Sequence, residues 1–558
     1  MKLKLILLSF VVISSLSIVS VSAQTYAITN ARVVTVAGET IEKGTVVIRN
    51  GLIESVGASA KAPADAQIFD GTGLTVYPGF FDALTNLGIA SQPRPPTATP
   101  GAGGGGPAAA AAAQTTAPQS NSNYPAGLRP EETVETDLRA GEAQFDTNRN
   151  AGFTTVLTVG RTGIFTGQSA VINLAGDSVS AMVIKSPFAE HISFTTIGGG
   201  QYPGSLLGTF SAMRQMFLDA RRLQEIRKIY AEDPRGMIRP ASDKSLEALI
   251  PILDRKIPVV FNANRENEII RALDLAREFN LKAIIAGGQE AWKVAERLKA
   301  QDVPVLLSLN FPKRTTAASP EADAETMEIL RLRANAPKGA ARLAQAGVKF
   351  AFQSDGMTSI NDFLTNAGKA VENGLNKDVA IRSMTLTSAE LLGVNDRLGS
   401  IETGKIANLT VVKGDVFGKD KFISHVFIDG KLFEQKEPAK PAPGGRPGTP
   451  PPAGGSPAVA AVAGNYNITI DVPGQTLTGT LALIQQGTTL TGSMQTQLGT
   501  TPIKDGKVTV EGFTFAGTVE FGGSTIDILV KGSVTGNQIG GTIDSPQGIV
   551  PFSGTRNP

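Results

Sequence analysis

The side chains able to do chemistry are few, and their shortage restricts the options. The 558 residues contain no Cys and only two His, His191 and His425. Without Cys there is no disulfide, no thiolate nucleophile, no Cys-ligated zinc and no iron–sulfur cluster. Two His cannot build a His-rich metal site. Asn262, Asn264 and Arg265 follow the apolar run Val259–Phe261, and Asp355 follows Phe350–Gln353. Polar groups placed just past the end of buried strands can hold a polar ligand through hydrogen bonds and one charge pair, or can satisfy loop backbone. Ser169 lacks the Gly-x-Ser-x-Gly context of a nucleophile elbow. The glycine runs Gly101–Gly106 and Gly198–Gly200 lack the Lys-Ser/Thr that completes a phosphate cradle.

The elements that must position these residues read as strand–helix alternation. Short apolar runs at Thr154–Val159, Ala181–Lys185, Val259–Phe261, Ala283–Ile285, Pro304–Leu309 and Phe350–Gln353 are separated by amphipathic helices. One of these helices carries Leu206, Phe210, Met213, Phe217 and Leu223. Such repetition predicts parallel strands with crossover helices. β-rich flanks bracket this body: Tyr26–Val36, Gly44–Arg49 and Leu52–Val56 before it, and Leu398–Glu402, Asn408–Val412 and His425–Asp429 after it. Asn50-Gly51 marks a hairpin. Past the Pro-rich residues 438–462, Ala463–Pro558 shows short strands at near-regular spacing with Gly turns, predicting a small all-β sandwich or barrel.

Several of these segments resemble the amidohydrolase superfamily, in particular its imidazolonepropionase-like members. YPGFFDALTNLG (Tyr77–Gly88) is similar to the first-strand signature PGFIDxHxH, and the segment Pro258–Leu298 to the family's paired-strand region. FAFQSDG (Phe350–Gly356) resembles its last barrel strand, and Leu386–Val412 its return into a small sandwich. The resemblance implies an α/β fold: a TIM-like (β/α)8 barrel over 78–397 with a composite β-sandwich from 24–77 and 398–437. The low-complexity stretch 91–127 is read as a disordered insertion, and 463–558 as a separate all-β module. It also implies hydrolysis of non-peptide C–N or related bonds by water bound to zinc or another divalent metal.

The metal ligands that the resemblance calls for are replaced. Its four His positions carry Leu84, Asn86, Asn262 and Ala286, whereas its proton-handling Asp remains as Asp355. Leu and Ala coordinate nothing, and neutral Asn oxygens suit zinc poorly. The expectation is therefore a degenerate pseudo-enzyme with no metal cofactor, binding a small polar ligand or a paralogous subunit. Asp355 is the residual catalytic candidate; Asn86, Lys185, Asn262, Asn264 and Arg265 are candidates for substrate contact. Lys185 enters because relatives carry a metal-bridging carboxylated Lys at the end of the fourth strand. The alternative is an active hydrolase, with a rebuilt oxygen-ligand metal site or metal-free acid–base chemistry around Asp355. His191 is placed near the barrel mouth and His425 on a sandwich strand remote from it.

Charge and targeting signals complete the reading. Lys2 and Lys4 precede the apolar Leu5–Ile13 and the small residues Val21-Ser22-Ala23, as in a secretory signal over 1–23. They are the only charges in that segment, and the remainder balances to zero. A neutral chain gives no electrostatic reason to expect nucleic acid or anionic lipid. No later segment is long and apolar enough for a membrane span. The expected location is periplasmic or secreted, and the resemblance allows a homodimer.

Overall fold

In the computed structural model, the described residues are 24–89, 124, 127–160, 163–196, 202–314 and 325–435, with most of 462–556. The predicted signal segment, nearly all of the 91–127 insertion and the body of the linker lie outside them. The chain divides into two compact units, one reaching to Ala439 and one built from the C-terminal residues.

The first unit opens with five strands: β1 (Tyr26–Val33), β2 (Ile41–Arg49), β3 (Leu52–Gly57), β4 (Gln67–Asp70) and β5 (Leu74–Pro78). At Gly79 the chain passes directly into the barrel. Its strands are β6 (Phe80–Thr85), β7 (Phe153–Thr158), β8 (Phe165–Gln168), β9 (Ala170–Asn173), β11 (Glu190–Ser193), β12 (Val259–Ala263), β13 (Ala283–Gly287), β14 (Val305–Ser308) and β15 (Phe350–Gln353). Among the described residues a short β10 (Val183–Lys185) pairs only with β9. The chain then returns through β16 (Leu409–Lys413), β17 (Phe422–Ile428) and β18 (Lys431–Glu434), and β16 pairs with β5. The sandwich sheet is thus drawn from both ends of the unit. The predicted strand at Leu398–Glu402 is not formed, and that stretch is a buried turn.

The barrel has eight staves, but it is not the all-parallel ring that strand–helix alternation predicts. β8 and β9 are one stave, bent at Ser169 and running against the others. Its second half pairs antiparallel with β7 (Thr158 with Ala170, Thr155 with Asn173), and its first half with β11 (Gln168 with Glu190). From β11 through β15 every pairing is parallel. β15 lies beside β6, which pairs parallel with β7 and so completes the ring. Counting back from β15, the fourth stave is β11. The run ending at Lys185 is a side strand, which corrects the expectation for Lys185.

Side chains alternate across the barrel wall with the period of two that strands impose. Val260, Ile284, Ala286, Leu306 and Ala351 face inward with Leu84. Val259, Phe261, Ile285, Val305, Leu307 and Phe352 face out beneath the helices. The helical layer includes α1 (Leu206–Glu232), which Ser205 caps through Gly208 N, and α2 (Glu266–Phe279), whose Glu268 side chain reaches back to accept from Arg265 N. Helix α3 (Leu386–Leu392) sends Ala389 and Leu392 into the inner cluster and closes one end of the barrel.

The C-terminal unit is a closed antiparallel barrel. Its strands are β19 (Gly464–Val472), β20 (Gln475–Gln486), β21 (Thr489–Thr496), β22 (Gly499–Pro502), β23 (Lys504–Val508), β24 (Phe513–Phe521), β25 (Ser524–Thr535), β26 (Gln538–Ser545) and β27 (Gly548–Arg556). Eight of them close through the β20–β21 pairing, with β22 appended to β21. Tyr466, Leu481, Met494, Phe515, Val530 and Phe552 pack the interior. Among the described residues no helix is long and apolar enough to cross a membrane.

Candidate functional site

Parallel strands β12 to β15 end on one face, and a cavity of about 270 Å³ opens there. Parallel barrels carry their active sites on this face because every strand delivers a loop to it. Asn262 ends the inward row of β12, in register with Ser193 on one side and Ala286 on the other. Ser308 and Gln353 are partners at the ends of β14 and β15. Asn264, Gln289, Asn310 and Asp355 follow just beyond their strands and complete the polar lining.

The loops are held by their own amides. Asn310 Nδ2 donates to Gly356 O at 2.8 Å, and Gln289 Nε2 to Asn310 O at 3.1 Å. Gln353 Oε1 accepts from Asp355 N at 2.5 Å. Gly287 adopts φ +89°, and the Asn264 carboxamide lies against its Cα where a Cβ would intrude. The Asn262 carboxamide makes no hydrogen bond to any described residue and is half-buried.

Asp355 is placed through its neighbour. Ser354 donates to Asp82 twice, from its N–H at 2.9 Å to Oδ1 and from its hydroxyl to Oδ2. Asp82 thereby ties β6 to the end of β15. It is completely buried, and desolvation lifts its pKa to about 7 despite those hydrogen bonds.

Of the residues singled out in the sequence, the fold brings Asn262, Asn264 and Asp355 together, with Ala286 beside them. It does not bring the others. Asn86 Nδ2 donates to Val159 O at 3.1 Å outside the cavity lining. Arg265 points away, and its guanidinium pairs with Glu328 at 3.2 Å. Lys185 donates to Leu392 O and Gly393 O at the end of α3, on the barrel's plugged end. His191 is not at the mouth: it faces Ser169, with Nε2 and Oγ 2.9 Å apart and both residues fully buried. Burial drives its pKa down to about 3, so the ring stays neutral. The pair is shut off from solvent and is a packing contact of the barrel wall. His425 lies on β17 with its ring 5.2 Å from that of Phe69.

Sequence reasoning missed Gln289, Ser308, Asn310 and Gln353. The usable signal was position: each lies at or within two residues of the end of a parallel strand. The donor set does not fit the divalent centre that the resemblance implies. Leu84 is buried in the inner apolar cluster, the Asn86 amide is committed to backbone, and among the described residues Asp355 is the only ionisable side chain of the cavity lining. Among the described residues no three His, Cys, Asp or Glu side chains converge as a ligand group. No step is therefore derived through a metal.

Comparison with known proteins agrees with this architecture. The family model described as "Amidohydrolase family" matches residues 261–433. An amidohydrolase from Thermotoga maritima MSB8 is similar over 74% of this chain and 100% of its own, at 25% identity and a TM-score of 0.59. A prolidase crystallised with N-methylphosphonate-L-proline is similar over 74% of this chain and 100% of its own, at 18% identity and a TM-score of 0.45. No curated protein matches. Residues 261–433 thus match the amidohydrolase family, and the first unit is similar in fold to the Thermotoga amidohydrolase.

Proposed function

We propose that this is an exported amidohydrolase-superfamily protein that has exchanged metal-assisted hydrolysis for binding of a small polar ligand at the barrel mouth. The observation that carries the reading is the lining itself: five carboxamides (Asn262, Asn264, Gln289, Asn310, Gln353), the Ser308 hydroxyl and one carboxylate, Asp355. A carboxamide presents a donor and an acceptor side by side, so such a wall matches hydroxyl and amide groups of either polarity. A cavity of about 270 Å³ is at the small end for ligand sites and suits a compact metabolite. Among the described residues of the lining, Asp355 is the one carboxylate and none is an imidazole or an amine. Export rests on the Lys2/Lys4, Leu5–Ile13 and Val21-Ser22-Ala23 pattern. The destination is the periplasm or the medium, alone or beside an intact paralogous subunit.

The test is a melting-temperature screen of residues 24–558 against neutral and charged polar metabolites, alongside hydrolysis assays on N-acyl amino acids, dipeptides and cyclic amides with added Mg²⁺, Mn²⁺ or Zn²⁺. Binding predicts a stabilising ligand whose affinity falls about tenfold or more in Asn262→Ala and Asp355→Asn. Turnover that requires a metal and vanishes in Asp355→Asn would instead establish a working hydrolase with oxygen ligands. Turnover that survives chelation would establish metal-free chemistry around Asp355.

A further inference from the structure

The overall charge balance conceals a local excess at the barrel's other end. Beneath the N-terminal ends of β13, β14 and β15 lies a cavity of about 500 Å³, lined by Arg255, Arg277, Lys282, Lys299 and Lys349. Its acidic residues are Asp302 and Glu390. Glu390 lies 3.6 Å from Arg382, and Arg277 is paired with Asp274 at 3.0 Å. Arg255 Nη1 donates to the carbonyl and side-chain oxygens of Asn280. Among the described residues Lys282, Lys299 and Lys349 form no salt bridge, and all three are exposed.

Part of this charge answers the carbonyl ends of helices, as Arg277 does in the last turn of α2. The crowding goes further than that. Lys185, anchored on the Leu392 and Gly393 carbonyls next to the cavity, has its pKa lowered by burial first and then by repulsion from Lys282, with Asp396 opposing and Arg397 adding to the shift. Five basic side chains against two carboxylates leave an excess of positive charge that an anion from outside relieves, and ammonium groups on long stems can close around one.

We propose that this basal cavity binds a phosphate-rich anion, either a free oligophosphate or a phosphate-bearing lipid headgroup. The site is separate from the mouth and needs neither Asp355 nor any ligand bound there. Residues 24–558 would be titrated calorimetrically with tripolyphosphate at low ionic strength, and sedimented with phosphatidylcholine vesicles with and without phosphatidic acid. Expected are salt-sensitive binding, a loss of about tenfold or more in the triple variant Lys282→Gln/Lys299→Gln/Lys349→Gln, and full binding by Asp355→Asn. Lys282→Gln alone serves if the triple variant fails to fold, with a smaller loss in the same direction. Tripolyphosphate binding without vesicle capture supports a free phosphate; vesicle capture displaced by tripolyphosphate supports a headgroup. No binding of either probe, binding indifferent to the lysines, or binding lost in Asp355→Asn would overturn the proposal.

Discussion

Asp82 shows how one side chain governs a site it does not enter. Its carboxyl holds Ser354 and so fixes where Asp355 projects, while burial lifts its own pKa to about 7. An unfolded Asp titrates near 4, so between about pH 4 and 7 the folded state keeps a proton that the unfolded state has lost. Stability contributed by this proton is full below that window and declines as pH rises through it. Asp82→Asn mimics the protonated acid, accepting from Ser354 N and donating to Ser354 Oγ. Wild-type melting temperature relative to Asp82→Asn is expected to fall as pH rises from about 4 to 7. A difference independent of pH would remove the titration argument. His191, held neutral with its pKa near 3, acts in the opposite direction below about pH 6.5, and is common to both proteins.

At the scale of elements, the junction between sandwich and barrel is set by Gly79. A Cβ there would collide with the Thr154 side chain on β7, lying 2.8 Å from Thr154 Cβ. Gly79 N also donates to Asn408 O at 2.8 Å, so the backbone has no freedom to retreat. Gly79→Ala is expected to cost toward the upper end of the roughly 1–3 kcal/mol typical of overpacking, read as a lower urea midpoint at unchanged slope. This junction was legible in the sequence, because Pro78-Gly79 belongs to the motif that suggested the fold. The reversed stave was not. The apolar part of GQSAVIN is only Ala170–Ile172, too short to show which way it crosses a buried sheet. The mouth was half legible for a related reason: Asn262, Asn264 and Asp355 stand out just past apolar runs, whereas Gln289, Asn310 and Gln353 gain meaning only when adjacent strands bring their loops together.

For the molecule as a whole, a buried polar network joins sandwich to barrel. Asn408 donates to Thr155 Oγ1 and Asn173 Oδ1, and accepts from Asp429 N; Asn173 in turn donates to the Asp429 carboxylate. Asn408→Ala strands these buried groups and is expected to cost at least about 2 kcal/mol, against much less for an exposed Asn such as Asn373. Chemical denaturation of the two variants makes the comparison. The C-terminal barrel has its own apolar interior, drawn entirely from residues 462–552. Calorimetry of residues 24–558 is therefore expected to resolve two transitions, one matching that of residues 24–437 alone. A single transition lost on truncation would mean that the units fold as one.

The return of the chain to its first strands sets a schedule for synthesis. Val76 on β5 waits for Val411 on β16, so the sandwich sheet cannot be completed until the whole barrel has been made. Until then β5 presents an unpaired edge to the surroundings, open to strand addition by another chain. Closure spanning so much sequence makes late folding slow. Protection of the Thr75–Tyr77 amides against hydrogen exchange should therefore arrive last in pulse-labelled refolding, and a chain halted before Leu409 should be the form that self-associates.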